Sequence, residues 1–232
     1  MLLAIDTSTR YAGVALVSDE GQTLQFLCWR SQQNHTVELM PSVELALARQ
    51  RVTLKGLSGI AVAIGPGSFS ALRVGLSVAK GLAWTAGLPL ASATTLEVEA
   101  YPYRWTGMPV CAVLDAGRGE VSWALYELGG GGLRLVQPEG ITEPSRLGAL
   151  IPDDALVCGE GLERFSGELQ SGLGPACRLA LPYHPGQRLA ALAHLGWLRL
   201  RAGLLVDPAA LQPLYLRRPT ITEPGRPTSA RG

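Results

Sequence analysis

Short apolar runs and helical spacing alternate along the first part of the chain. An apolar run from Leu2 ends at Asp6, whereas apolar residues at 39, 43, 46 and 47 have the spacing of a helix. The predicted elements are strands at 2–5, 12–18 and 23–29, a helix at 34–50, a strand at 60–64, a helix at 68–86 and a strand at 88–93. Pro41 fits only the first turn of a helix, so the first helix either begins near Glu38 or is kinked. This order predicts a mixed sheet covered by helices.

The second part of the chain repeats the same order. When Asp115 is placed on Asp6, Ala124 falls on Ala15. The predicted elements are strands at 110–114, 121–127 and 133–136, then helical and strand segments at 147–151, 155–158, 161–170 and 189–201. A few identities can arise by chance, but the repeated order of elements favours an internal duplication with its boundary in residues 101–107.

Composition excludes several classes of protein. The 232 residues are 47% hydrophobic and 17% charged, with a net charge of +1, which excludes a disordered chain. That charge disfavours binding to DNA, RNA or an anionic membrane through bulk electrostatics. Uncharged runs, such as the 16 residues between Lys80 and Glu97, are too short for a membrane span. We therefore expect a soluble, cytoplasmic protein that binds neither membrane nor DNA.

The C-terminal tail, residues 217–232, has no hydrophobic periodicity and is rich in proline, glycine, serine and threonine. It is predicted to be flexible. Its four arginines and one glutamate give a charge of +3. The tail is therefore either a solvated end or a contact for RNA phosphates.

A glycine-rich segment, residues 65–75, joins a predicted strand to a predicted helix. It lacks the lysine of a phosphate-binding loop, and Ser70 stands where a dinucleotide motif needs its third glycine or alanine. Within the helix, Ala71, Gly75 and Ala79 form a stripe of small residues that lets another element approach closely. Spacing alone does not decide whether that element is the chain's own sheet or a partner helix.

Two aspartates are candidates for chemistry. Asp6 and Asp115 each end a predicted strand and open a turn of small residues. In a duplicated protein they would face each other across a cleft, where they could hold a metal–nucleotide complex or act as a general base. The alternative is that each only caps its turn. The three histidines lack zinc-site spacing and no nucleophile elbow is present, so no metal site is predicted.

Five motifs together resemble one family. They occur in one order, at residues 3–9, at His35 with Pro41, and at 65–75, 115–120 and 213–217. With them the chain resembles the TsaB (YeaZ) family, the non-catalytic partners in bacterial tRNA threonylcarbamoyladenosine synthesis, over residues 1–217. Ser70 and Ala71 stand where the family usually has threonine and glycine, and Gly117 stands where it often has arginine.

The resemblance implies an α/β protein with the actin-like ATPase (ASKHA) fold, built from two ribonuclease-H-like lobes with mixed five-stranded sheets. It implies an N-terminal lobe at 1–103 that carries the dimerisation helices, a C-terminal lobe at 104–216 and a flexible tail at 217–232. It also implies a possible vestigial nucleotide cleft at Asp6, Thr7 and Asp115.

The resemblance further implies a scaffold that does no chemistry and holds no cofactor or metal. Its partner TsaD transfers the threonylcarbamoyl group to adenosine 37 of tRNA, and the ATPase TsaE docks on that pair. ATP and metal are expected on these partners, tRNA is reached through the complex, and a homodimer is expected without TsaD. The implied partner-binding residues are His35, Leu39, Val43, Leu47, Ala71, Leu72, Gly75, Leu76, Ala79 and Ala83. The alternative is a small actin-like ATPase or kinase that uses Asp6 and Asp115.

Overall fold

The first half of the chain builds a five-stranded mixed sheet. The computed structural model describes residues 1–32, 34–130 and 132–217. The strands are β1 (Leu2–Asp6), β2 (Tyr11–Val17), β3 (Thr23–Arg30), β4 (Gly59–Ala63) and β5 (Leu90–Ala93). They are ordered β3-β2-β1-β4-β5, with an antiparallel β1–β2–β3 meander and parallel β1, β4 and β5. The helices are α1 (His35–Arg49), α2 (Phe69–Ala86) and α3 (Thr95–Ala100).

The second half repeats that sheet. Its strands are β6 (Val110–Gly117), β7 (Glu120–Gly129), β8 (Gly132–Thr142), β9 (Leu156–Cys158) and β10 (Arg178–Leu179), and its helices are α4 (Leu162–Gly172) and α5 (Pro185–Arg201). The order β8-β7-β6-β9-β10 is that of the first sheet, with the same mixture of antiparallel and parallel pairs. The predicted fold class and the repeated order of elements are therefore confirmed.

Alternating side chains of β1 separate two cores. Leu3 and Ile5 face the core under α1 and α2, whereas Leu2 and Ala4 face the core under α5. Helix α5 thus packs on the first sheet although it follows the second in sequence, and α3 packs on β6 of the second. The predicted division at residues 103 and 104 stays a prediction, since helices on both sides of it cross between the sheets.

Several local predictions need correction. Helix α1 does not begin near Glu38; it starts at His35 and continues through Pro41. Pro41 is exposed, so water can reach the carbonyl that lacks an amide partner. The segment predicted at 147–151 is a 3₁₀ helix at Pro144–Ala149, and α3 and β10 were not predicted.

The predicted tail lies outside the described residues from 218 onward. Arg217, at its start, is ion-paired with Glu120 of β7. Among the described helices, none combines the length and apolar character that crossing a membrane requires.

Candidate functional site

The turn after β1 is closed by its own aspartate. Asp6 Oδ1 accepts hydrogen bonds from the Ser8 backbone N–H at 2.9 Å and the Ser8 hydroxyl at 2.7 Å. Thr7 Oγ1 donates to the Ala71 carbonyl at 2.7 Å, which ties the turn to α2. Thr7 is buried, so it does not offer its hydroxyl to a ligand.

Two glycines of the glycine-rich segment allow the turn and α2 to pack closely together. A Cβ at Gly67 would lie 2.0 Å from the Ser8 carbonyl oxygen, and one at Gly75 would lie 2.2 Å from Thr7 Oγ1. Only glycine permits so close an approach. The small-residue stripe of α2 therefore packs on the chain itself.

The other Asp6 oxygen is held by a buried arginine that sequence reasoning missed. Arg188, in the first turn of α5, is 2% exposed. Its Nε donates to Asp6 Oδ2 at 2.7 Å, and its Nη1 donates to Thr9 Oγ1 at 2.7 Å and to Glu160 Oε2 at 3.1 Å. Glu99 Oε1 lies 3.4 Å from the same nitrogen, and Nη2 donates to the Tyr11 carbonyl. We call Arg188, Asp6, Glu99 and Glu160 the Arg188 cluster.

Burial shifts the pKa values of groups in the Arg188 cluster. Burial raises the pKa of Glu99 to about 7, against the opposing effects of Arg188 and of the Tyr183 hydroxyl, which donates at 2.9 Å. Burial alone would lower the pKa of Arg188, but Asp6 and the other groups around it raise it well above its ordinary value. The arginine therefore stays charged, while one of its carboxyl neighbours takes up a proton near neutral pH.

The equivalent bend lies near the end of β6, which does not end at Asp115 as predicted but continues to Gly117. It is built in the same way as the first turn but is more exposed. Asp115 Oδ1 accepts from the Gly117 N–H at 2.8 Å, and Oδ2 pairs with Arg164 Nη1 at 2.9 Å. The backbone turns through positive φ at Gly117, which glycine adopts without strain. Both aspartates thus cap their turns, as one of the two interpretations of the sequence proposed.

A cleft of about 1020 Å³ separates the two turns. Asp115 lines it, whereas Asp6 is 1% exposed and is paired with the buried Arg188. Arg10 pairs with Glu160 at 2.7 Å, and the Tyr11 hydroxyl donates to Glu163 at 3.0 Å. Because Asp6 is buried and paired with Arg188, it does not reach the cleft, so the two carboxylates do not fit a metal–nucleotide complex that would need both. Among the described residues, no three His, Cys, Asp or Glu side chains are placed to share a metal ion.

The predicted partner-binding residues lie on the sides of α1 and α2 that face the core. All are buried except Leu47, which is half-buried, and most lie in the core between α1, α2 and the first sheet. The buried set is His35, Leu39, Val43, Ala71, Leu72, Gly75, Leu76, Ala79 and Ala83. His35 Nε2 lies 3.3 Å from the Thr9 carbonyl oxygen. Since they pack inside the chain, these side chains cannot form a surface for a partner.

The opposite sides of α1 and α2 are exposed. We call this surface the outward face; it includes Val37, Leu45, Ser77, Gly81 and Trp84. Trp84 is 77% exposed, Val37 69% and Leu45 44%. A Cβ at Gly81 would meet nothing within 4 Å. Both helices cover the same face of the first sheet, so this surface lies on one side of the molecule.

Comparison with known proteins places the chain in a family. A family model described as TsaD, tRNA N6-adenosine threonylcarbamoyltransferase, matches residues 29–163. The tRNA threonylcarbamoyladenosine biosynthesis protein TsaB of Bacillus subtilis is 35% identical over 138 residues, 60% of each chain. The matches span at most 60% of the lengths of the first curated relatives.

Solved structures agree with the family match. YeaZ from Pseudomonas aeruginosa superposes with a TM-score of 0.76 at 31% identity, covering 93% of this chain and 99% of that one. The ethanolamine utilization protein EutJ from Carboxydothermus hydrogenoformans shows only the fold, with a TM-score of 0.51 at 15% identity over 84% of this chain and 89% of that one. The two repeated sheets are those of the actin-like ATPase fold. The chain therefore belongs to the TsaD family, and within it to the group of the YeaZ and TsaB proteins.

Proposed function

We propose that the chain takes part in tRNA threonylcarbamoyladenosine synthesis as a non-catalytic scaffold that pairs with a TsaD protein through its outward face. The biosynthetic role is supported by the TsaB relatives and the TsaD family match. In this proposal TsaD transfers the threonylcarbamoyl group to adenosine 37 of tRNA. TsaE docks on the pair, and ATP and metal ions act on those partners.

The exposed apolar side chains of the outward face carry the proposal. Large apolar groups exposed on one face of a protein are typical of an interface, and tryptophan is frequent among the residues that dominate binding. Trp84 and Val37 are the most exposed large apolar residues on these helices. The open space above Gly81 leaves room for a partner helix to approach closely.

The same surface suits a second copy of the chain. In a homodimer with twofold symmetry each copy presents the same patch. One face cannot hold TsaD and a second copy at once. We therefore propose that the homodimer forms only without TsaD and that the two assemblies exclude each other.

The cleft supports a role without catalysis. The alternative function, an ATPase or kinase, needs Asp6 or Asp115 to bind a cation or accept a proton. Asp6 instead pairs with buried Arg188, and Asp115 pairs with Arg164. Among the described residues, no contact of either carboxylate favours this alternative.

Light scattering after gel filtration tests the pairing. The purified chain is mixed with TsaD of the same organism, and the mass of the eluted species is measured. We expect a one-to-one complex for the wild type, and its loss in Gly81→Arg, because the arginine holds a partner helix away. Gly167→Arg is the matched control, since Gly167 is also an exposed helical glycine with open space around it but lies on α4.

The two variants and the wild type together test both the outward face and the scaffold function. A complex that survives Gly81→Arg would show that the outward face is not the contact. If the wild type forms no complex, or forms one that makes no threonylcarbamoyladenosine with TsaE and tRNA, the scaffold function itself is wrong. Loss of the complex in both variants would also contradict the assignment of the face.

A further inference from the structure

The Arg188 cluster joins parts of the chain that are far apart in sequence. Asp6 ends β1 of the first sheet, Glu99 lies on α3, Glu160 follows β9 of the second sheet, and Arg188 opens α5. Each of the four is at most 5% exposed. The guanidinium thus lies where the two halves meet, out of contact with water.

Glu160 makes the link between the halves. Its Oε2 accepts from Arg188 at 3.1 Å, and its Oε1 accepts from Arg10 at 2.7 Å. Arg10 precedes β2, and Arg188 is bonded to Asp6 and Thr9 of the first turn. One carboxylate of the second half therefore bonds to two cations held by the first sheet. Removing one partner of such a buried pair leaves an uncompensated charge, so its loss is strongly unfavourable.

The cluster has the chemistry of a filled cation site. Three carboxylates, the Thr9 hydroxyl and the Tyr11 carbonyl all direct oxygens at one guanidinium. Oxygen ligands of this kind suit a hard cation, but here the chain supplies the positive charge itself. We propose that Arg188 is an internal cation that locks the two halves together through Glu160, so that the cleft is a fixed joint and not a hinge that closes on a ligand.

The lock extends to α2 through the first turn. Asp6 and Thr9 of this turn bond to Arg188, while Thr7 bonds to the Ala71 carbonyl. The Ser68 N–H, at the start of α2, donates to the Ser8 carbonyl at 2.9 Å. One turn therefore contacts the lock on one side and α2 on the other.

Hydrogen exchange on the full chain tests the lock with Glu160→Gln. Glutamine keeps the shape of the side chain but removes the charge that holds both arginines. We expect amide exchange in residues 6–11 and 159–164 to rise about tenfold or more, with exchange in the β7–β8 hairpin unchanged. The matched control is Glu163→Gln, three residues on, whose side chain is 31% exposed and bonds to Tyr11. It should change exchange by less than about twofold.

Three results would overturn the proposal. Glu160→Gln could leave exchange in both segments as in the wild type, it could raise exchange equally throughout both sheets, or Glu163→Gln could open the same segments as far. Should Glu160→Gln fail to fold, Arg188→Lys provides the same comparison, because lysine keeps the charge but loses the planar fork. For this variant we again expect faster amide exchange only in residues 6–11 and 159–164. Exchange that is unchanged, or that rises equally in both sheets, would again contradict the lock.

Discussion

The turns at Asp6 and Asp115 have the same local hydrogen bond but differ in the burial of their ion pairs. Each aspartate accepts the N–H two residues ahead, at 2.9 Å and 2.8 Å, and each pairs with an arginine from later in the chain. The Asp6–Arg188 side chains are 1% and 2% exposed, whereas those of Asp115 and Arg164 are 27% and 56% exposed. The same local pattern thus gives a buried lock in one half and a pair at the rim of the cleft in the other.

This difference shows that neighbouring residues determine the conformation of the turn. The burial of the distant arginine determines how much the pair contributes to the free energy of unfolding. A buried pair is strongly destabilised when one partner is removed, because the other charge stays out of water. An exposed pair contributes little, because water and salt screen it.

Arg188→Ala should have the largest effect. It leaves the carboxylates of the cluster without their cation, and we expect the free energy of unfolding to fall by about 3–5 kcal/mol. Urea denaturation followed by circular dichroism measures the change. A loss below about 1 kcal/mol would show that the cluster is not a lock.

Glu99→Gln should remove a pH dependence of stability that comes from the Arg188 cluster. The folded-state pKa of Glu99 is raised from 4.5 to about 7, so the folded chain holds this proton more tightly than the unfolded chain. This contribution to stability is complete below pH 4.5 and is lost as pH rises through 7, by on the order of 1–3 kcal/mol.

Thermal unfolding between pH 5 and 8 measures that difference. The wild type should lose more stability over this range than Glu99→Gln, in which Arg188, Tyr183, Asp6 and Glu160 still face the substituted side chain. The exposed substitution Glu168→Gln on α4 should behave like the wild type. Equal pH profiles for the wild type and Glu99→Gln would contradict the assignment.

Gly75→Ala tests the packing of α2 on the first turn. The new methyl would lie 2.2 Å from Thr7 Oγ1, and such overpacking costs about 1–3 kcal/mol. Gly81→Ala, on the open side of α2, should instead gain up to about 1 kcal/mol from helix propensity. Chemical denaturation compares the two, and a stabilised Gly75→Ala would mean that the stripe is not packed there.

Arg164→Ala should have the smallest effect. Its pair with Asp115 is exposed, and we expect a loss of at most about 1 kcal/mol by urea denaturation. If Arg164→Ala lowered the free energy of unfolding as much as Arg188→Ala, the proposed difference between the buried and the exposed pair would be wrong.

The sequence predicts the strands and their repeat well, because each sheet rests on short apolar runs bounded by turn residues. The caps at Asp6 and Asp115, which depend on neighbouring residues only, were one of the two interpretations that the sequence left open. It cannot find Arg188, since the contacts that bury this residue come from positions distant in sequence. Nor can spacing tell which side of α2 faces outward: Ala71, Gly75 and Ala79, which the sequence assigned to a partner, are buried within the chain.

Titration calorimetry with magnesium and ATP tests the central claim, that the chain is a scaffold in which Asp6 is already held by the chain's own Arg188. We predict no saturable heat for the wild-type chain, because Arg188 already occupies Asp6 and Arg164 occupies Asp115. Saturable binding in the low micromolar range that disappears in Asp6→Ala would contradict the account and favour an actin-like enzyme.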